Sequence, residues 1–204
     1  MNKRRKILAI NGSYRAGGVT DQAVSGVLED LKAPDGEVEH VKLRDYPIEF
    51  CMNCRECMQQ AGDAPGRCVL NDGMVELVQK IEDADAYVLA APTNFSSVTA
   101  LFKRFSERLA VYGHWPWGRA APTFRKDKMP GKPAIIISSC AAPGILGKLT
   151  YGTNRNLKIA AKTIGGKVVG SMVTGLVSQE RTPELPPRAQ RRIKALAPRL
   201  LATH

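Results

Sequence analysis

Two stretches of this 204-residue chain carry side chains at spacings that could do chemistry. The first is Gly12-Ser13-Tyr14-Arg15-Ala16-Gly17-Gly18-Val19-Thr20. Glycines let backbone N–H groups converge, and a helix start adds a field that favours an anion. Ser13 and Thr20 can donate from their hydroxyls, and Arg15 can add a charge-assisted bond of about 1.5–3 kcal/mol. This chemistry suits a phosphate. The loop is neither a Walker loop nor a dinucleotide G-x-G-x-x-G. Thr20 also reads as a helix N-cap with Asp21 in the first turn, and an acid there is mildly repulsive to phosphate. The second stretch holds four of the five cysteines, Cys51, Cys54, Cys57 and Cys68. Four thiolates can hold a [4Fe–4S] cluster, although ten residues separate Cys57 from Cys68. Zinc favours pairs of C-x2-C, and free thiols are the third reading. The fifth, Cys140, reads as a small buried thiol or a ligand contact.

The elements that must position these residues follow from the apolar pattern. Continuous apolar runs predict buried strands over 6–11, 86–91 and 134–139, and strand-like segments cover 37–43 and 167–173. Spacings of i, i+3, i+4 predict helices over 20–31, 72–82, 98–109, 156–164 and 187–202. Strict β–α alternation implies an α/β fold: a doubly wound, flavodoxin-like five-stranded parallel sheet, order 2-1-3-4-5, with helices on both faces. Ligands of such sheets bind beyond the carboxyl ends of the strands, which directs attention to 11–20, 92–98 and 138–144. The whole of 1–204 reads as one domain with insertions at 44–71 and 110–132.

At those strand ends the sequence resembles a known family. GSYRAGGVT is similar to the G-S-x-R-x-x-G-x-T loop of the NADPH-dependent FMN reductases. Pro92-Thr93-Asn94-Phe95-Ser96-Ser97-Val98, followed by Lys103 and Arg108-Leu109, resembles the family segment that borders the isoalloxazine ring. Cys51, Cys54 and Cys57, then Gly66-Arg67-Cys68 and Asn71-Asp72-Gly73-Met74, resemble the cysteine stretch of iron–sulfur flavoproteins and their cluster-free relatives. The resemblance implies bound FMN, with Ser13, Arg15 and Thr20 taking its phosphate and Val19 in the same cradle, where an Asn is common. It implies that Pro92, Thr93, Asn94, Phe95 and Ser96 edge the ring, with Ser139 and Cys140 in the 138–142 segment beneath or beside it. NADPH or NADH would be co-substrate, with reducing equivalents passing to a small-molecule acceptor from a homodimer or homotetramer. The flavin would carry the chemistry, so no catalytic side chain is required. A [4Fe–4S] electron-transfer protein is the alternative, with Cys51, Cys54, Cys57 and Cys68 as ligands.

Charge raises a different class. Residues 1–127 hold 17 Lys+Arg and 17 Asp+Glu, whereas 128–204 hold 13 Lys+Arg against Glu180 and Glu184, so this part carries the whole +11. A solvated basic surface explains this, and a nucleic-acid or regulatory module is the rival, although no aromatics interleave the basic run at 188–194. Lys126, Lys128 and Lys132 are candidates for the extra phosphate of NADPH. Tyr112, Trp115 and Trp117 form an aromatic loop that would wall the flavin or face a partner subunit. Of the histidines, His40 reads as a strand residue, His204 as a terminus, and His114 as the one candidate near the site. No apolar run is long enough for a membrane span or a signal-peptide core, which points to the cytoplasm.

Overall fold

The computed structural model describes residues 5–32 and 36–201. Within them, five long strands form one parallel sheet: β1 (Arg5–Asn11), β2 (Gly36–Lys42), β3 (Ala86–Asn94), β7 (Lys132–Ser139) and β8 (Gly166–Thr174). Their spatial order is β2-β1-β3-β7-β8, the expected 2-1-3-4-5 arrangement once three short strands are numbered. Those are β4 (Ser97–Val98), which folds back on β3, and the ribbon of β5 (Gly113–His114) and β6 (Thr123–Phe124) inside the second insertion.

Alternate residues of the strands feed opposite cores. Leu8, Ile10, Leu89 and Ile136 pack with α2 (Gly73–Asp83), α3 (Ala100–Arg108) and α5 (Thr153–Thr163). Ile7, Ala9, Val88, Ile135 and Ile137 pack with α1 (Val19–Lys32) and α6 (Pro187–Leu196). A sheet buried on both faces needs continuous apolar strands, and Ile135-Ile136-Ile137 is one because both neighbouring layers are filled.

Three local differences from the expected elements have physical causes. The helix expected from Val98 starts at Ala100, since Val98 pairs with Thr93 in a hairpin and Thr99 caps the helix by accepting from the Phe102 amide. The expected C-terminal helix breaks before Pro198 into α6 and α7 (Pro198–Leu201), and its last residue, 202, lies outside the described residues, as does His204. An unexpected helix, α4 (Gly144–Thr150), follows β7. Its apolar Ile145, Leu146 and Leu149 face outward, so it has no inward apolar stripe to read. Among the described residues no helix is long and apolar enough to cross a membrane.

Candidate functional site

The loop after β1 is held by its own polar groups. Asn11 ends the strand; its side-chain oxygen accepts from the Ser13 amide and its Nδ2 donates to Asp21, 2.7 Å away. The Ser13 hydroxyl accepts from the Arg15 amide at 3.2 Å. Gly17 takes φ +68, the left-handed region that glycine enters at no steric cost. Its amide donates to Asp21. A Cβ on Gly18 would lie 3.0 Å from Arg15 Cδ, so the arginine stem folds across the start of α1. The guanidinium then donates to the Arg181 carbonyl at 2.9 Å, tying the loop to the segment after β8.

Helix α1 starts at Val19, one residue before the expected N-cap, so Thr20 sits in the first turn. Its buried hydroxyl bonds Ser139 Oγ at the end of β7, at 2.9 Å. Among the described residues, no group accepts from the amides of Val19 and Thr20, which belong to the orphan donors of a helix start. The Thr174 hydroxyl, opposite Ser139 in the register, is buried with no partner among the described residues. Two free amides, the paired hydroxyls of Thr20 and Ser139, and the Thr174 hydroxyl thus gather at the carboxyl ends of β1, β7 and β8. Asp21 does not oppose an anion there with a bare charge. Arg44 grips it with two nitrogens, at 2.9 and 3.2 Å, and also donates to the Ser13 carbonyl.

A second wall comes from the β3–β4 hairpin. Asn94 pairs with Ser97, and the two residues between them, Phe95 and Ser96, have φ +46 and +62. Positive φ at both central residues is the two-residue hairpin turn that glycine and asparagine normally fill. Phe95 is fully exposed at its tip. The hairpin is clamped from behind: Gly152 donates to the Ser96 carbonyl, Asn156 to Ser97, and the hydroxyls of Thr93 and Thr153 meet at 2.9 Å. Pro92 and Thr93 are half-buried at its base. Thr99 joins this wall to the first loop by donating to the Gly12 carbonyl at 2.6 Å. Ser139 and Cys140 complete the row of strand ends. Cys140 is buried against Gly147, where a Cβ would fall 2.3 Å from its sulfur, and burial pushes its thiol pKa up.

The first insertion folds into a separate cleft lined by all four of its cysteines, with Met52, Arg55 and Met58. Cys57 is pushed up to about 11 by burial and by the neighbouring Cys68, Cys51 and Cys54. Among the described residues, no three His, Cys, Asp or Glu side chains converge closely enough for one metal ion. Two buried arginines frame the cleft. Arg108 grips Asp72 with two nitrogens at 2.6 and 3.0 Å, takes the Glu49 carbonyl, and donates to Cys68 Sγ at 3.5 Å. Arg125 donates to the carbonyls of Val111, Gly62, Cys57 and Gln60. Gly66 is required here, since a Cβ would lie 1.8 Å from the Cys57 carbonyl oxygen.

Several expected contributors stand elsewhere. Lys126 and Lys132 lie at or before the amino end of β7, opposite the ligand edge; Lys126 pairs with Glu82 at 2.5 Å and Lys132 donates to the Glu82 carbonyl. They are therefore structural. The aromatic loop packs on the cysteine insertion: Arg55 lies between Trp115 and Trp117, at 3.7 and 4.4 Å from the ring centres, and the Trp115 amide donates to Met58. His114 sits in the small β5–β6 ribbon, not against the strand ends. Sequence reasoning missed Arg44. Strand order carried the signal: Asn11 faces Lys42 in the register, so the residues just past β2 flank the loop after β1.

Comparison with known proteins bears on all of this. The family model described as NADPH-dependent FMN reductase matches residues 5–176. A protein named iron-sulfur flavoprotein from Archaeoglobus fulgidus is 36% identical over 111 residues, 54% of this chain and 48% of that protein. The chain spans about half the length of curated relatives that it matches. An FMN-dependent NADH-azoreductase of Bacillus anthracis, solved in complex with FMN, superposes with TM-score 0.69 at 15% identity, covering 97% of this chain and 100% of that one. An NAD(P)H:quinone oxidoreductase from Methanothermobacter marburgensis gives 0.64 at 20% identity, covering 98% and 96%. At these identities the two structures show the shared fold. With a matched region that takes in the glycine loop, the hairpin and the cysteine insertion, the chain belongs to the NADPH-dependent FMN reductase family.

Proposed function

We propose that this protein binds FMN at the carboxyl ends of β1, β3 and β7 and uses it to pass reducing equivalents from NADPH or NADH to a small-molecule acceptor. The observation that carries the reading is the set of unmet donors at the start of α1. The Val19 and Thr20 amides are free among the described residues, beside the buried hydroxyls of Thr20 and Ser139. A phosphate supplies the acceptors they lack. The Arg15 stem lies across the same turn, within reach to add its charge, and Arg44 neutralises Asp21 beside it. The fixed hairpin at Phe95-Ser96 and the 138–142 segment supply two edges for a flat ring. FMN, when bound, supplies hydride acceptance and electron transfer, and the protein positions it.

The reading includes a cytoplasmic setting, in which the five unpaired thiols stay reduced. It also includes self-association into a homodimer or homotetramer. Phe95, Ile145 and Leu149 are exposed apolar side chains on the hairpin and on α4, near the proposed mouth, and such groups mark interfaces. The test is an anaerobic visible spectrum before and after NADPH. The expected result is a flavin spectrum that bleaches on addition and returns with an acceptor. A flavin that NADPH and NADH both leave oxidised would overturn the reductase reading.

A second reading is favoured by the cysteine cleft: the same fold with a [4Fe–4S] cluster on Cys51, Cys54, Cys57 and Cys68. Zinc needs four sulfurs about 2.3 Å from one ion. A cubane instead binds each thiolate through a different iron, which suits four cysteines that share a cleft without closing on a point. Buried cations around the cleft suit an anionic group.

A further inference from the structure

Arg125 is a buried charge without a countercharge. It is 7% exposed, its guanidinium is spent on four carbonyls, and among the described residues no carboxylate stands within ion-pair distance. A buried, unpaired cation is costly, and carbonyl dipoles offset that cost only partly. One of the four carbonyls belongs to Cys57. Arg108, 1% exposed, is balanced by Asp72 but turns one N–H to the sulfur of Cys68. Two buried guanidinium groups therefore meet the cleft at two of its four cysteines. The surplus positive charge lies beside the cleft that the four cysteines line.

We propose that Arg108 and Arg125 are positioning residues that form a cationic clamp on the four-cysteine cleft, holding an anionic cysteine-ligated redox group and easing its reduction. The inference rests on the second reading above. Four thiolates around a cluster leave a net negative group, and each added electron deepens that charge. A fixed cation nearby in a poorly solvated cleft stabilises the reduced state more than the oxidised one. An N–H···S bond to a ligand acts in the same direction. Arg125 acts through its charge, and Arg108 acts through its bond to Cys68.

The test uses the full chain, loaded anaerobically with ferrous iron and sulfide and with FMN. The native protein, Arg108→Gln, Arg108→Lys, Arg125→Gln and Arg125→Lys are titrated against redox dyes and followed by visible and paramagnetic-resonance spectra. The expected result is that the glutamine variants keep iron, sulfide and FMN but need a more negative potential. At the potential that half-reduces the native group, their reduced-to-oxidised ratio falls about ten-fold. The Arg125→Lys variant recovers most of the native value, while Arg108→Lys recovers part, since it keeps charge without the fork. The flavin midpoint, read in the same samples, stays put. If a glutamine variant loses FMN through misfolding, Arg108→Lys carries the comparison, since it keeps the charge without the fork. Native protein that holds iron and sulfide, with the glutamine variants, or Arg108→Lys in their place, sharing its midpoint, overturns the clamp alone. Native protein that takes up no iron and sulfide overturns the cluster reading itself, and the clamp with it.

Discussion

Asp21 stands one turn into α1 beside a proposed phosphate cradle, and Arg44 makes that placement tolerable. The pair is nearly buried, with side-chain exposures of 14% and 8%. Removing one partner strands the other charge, at a cost of about 3 kcal/mol. Arg44→Ala should therefore lower the unfolding free energy by that amount, read from urea titration, and weaken FMN binding as well. A fall in affinity with no loss of stability would assign Arg44 to the ligand rather than to Asp21. The Asp72–Arg108 node makes a prediction about pH. Burial pushes the Asp72 carboxyl up, but the Arg108 hydrogen bonds and the amides of Glu49 and Met74 outweigh it and hold the group below its ordinary 3.8. A depressed folded-state value contributes stability that is present above the unfolded value and is lost as pH falls through the folded one. The Tm advantage of the native chain over Asp72→Asn should be constant near neutrality and shrink below about pH 4. An advantage that persists undiminished in strong acid would contradict this.

At the scale of elements, the hairpin and α3 set the shape of the site. Phe95 and Ser96 occupy left-handed conformations, which cost side-chain-bearing residues about 1 kcal/mol each. The clamp from Gly152, Asn156 and Thr153 holds them there. Ser96→Gly should relax the turn and raise stability by about 0.5–1 kcal/mol, read from the urea midpoint, while loosening the ring edge and lowering flavin affinity. A loss of stability would show that Ser96 is not strained. Helix α3 links the two proposed sites, since Thr99 at its start holds Gly12 of the first loop and Arg108 at its end holds Cys68. The apolar side of this helix was legible in sequence, because Leu101, Phe102 and Phe105 bury one face. Its start was not, because Val98 is apolar and only the fold-back of the chain takes it out of the helix. Helix α4 was invisible for the opposite reason: its apolar residues face outward.

For the whole molecule, strand order was readable because buried parallel strands must be apolar on both faces, and β–α alternation leaves few topologies. The loop proposed for phosphate was singled out by residue types, and the fold brings its Thr20 to Ser139 as a neighbour at the sheet end. What sequence could not show were partners distant in the chain: Arg44 for Asp21, Arg181 for Arg15, Trp115 and Trp117 for Arg55. These depend on how insertions fold over the sheet, and no periodicity encodes that. The basic C-terminal part illustrates the same limit. Arg192 and Arg199 donate to carbonyls of β8, an outer strand, at 3.5 and 3.2 Å. Their charge partly serves to blunt an open sheet edge. The central claim is that an anion completes the start of α1, and fluorescence titration of flavin-free protein with FMN tests it most directly. The account predicts saturation at one FMN per chain, with binding roughly ten-fold weaker in both Arg15→Ala and Thr20→Val. Native protein that leaves FMN fluorescence unchanged, or variants that bind as tightly as the native chain, would contradict it.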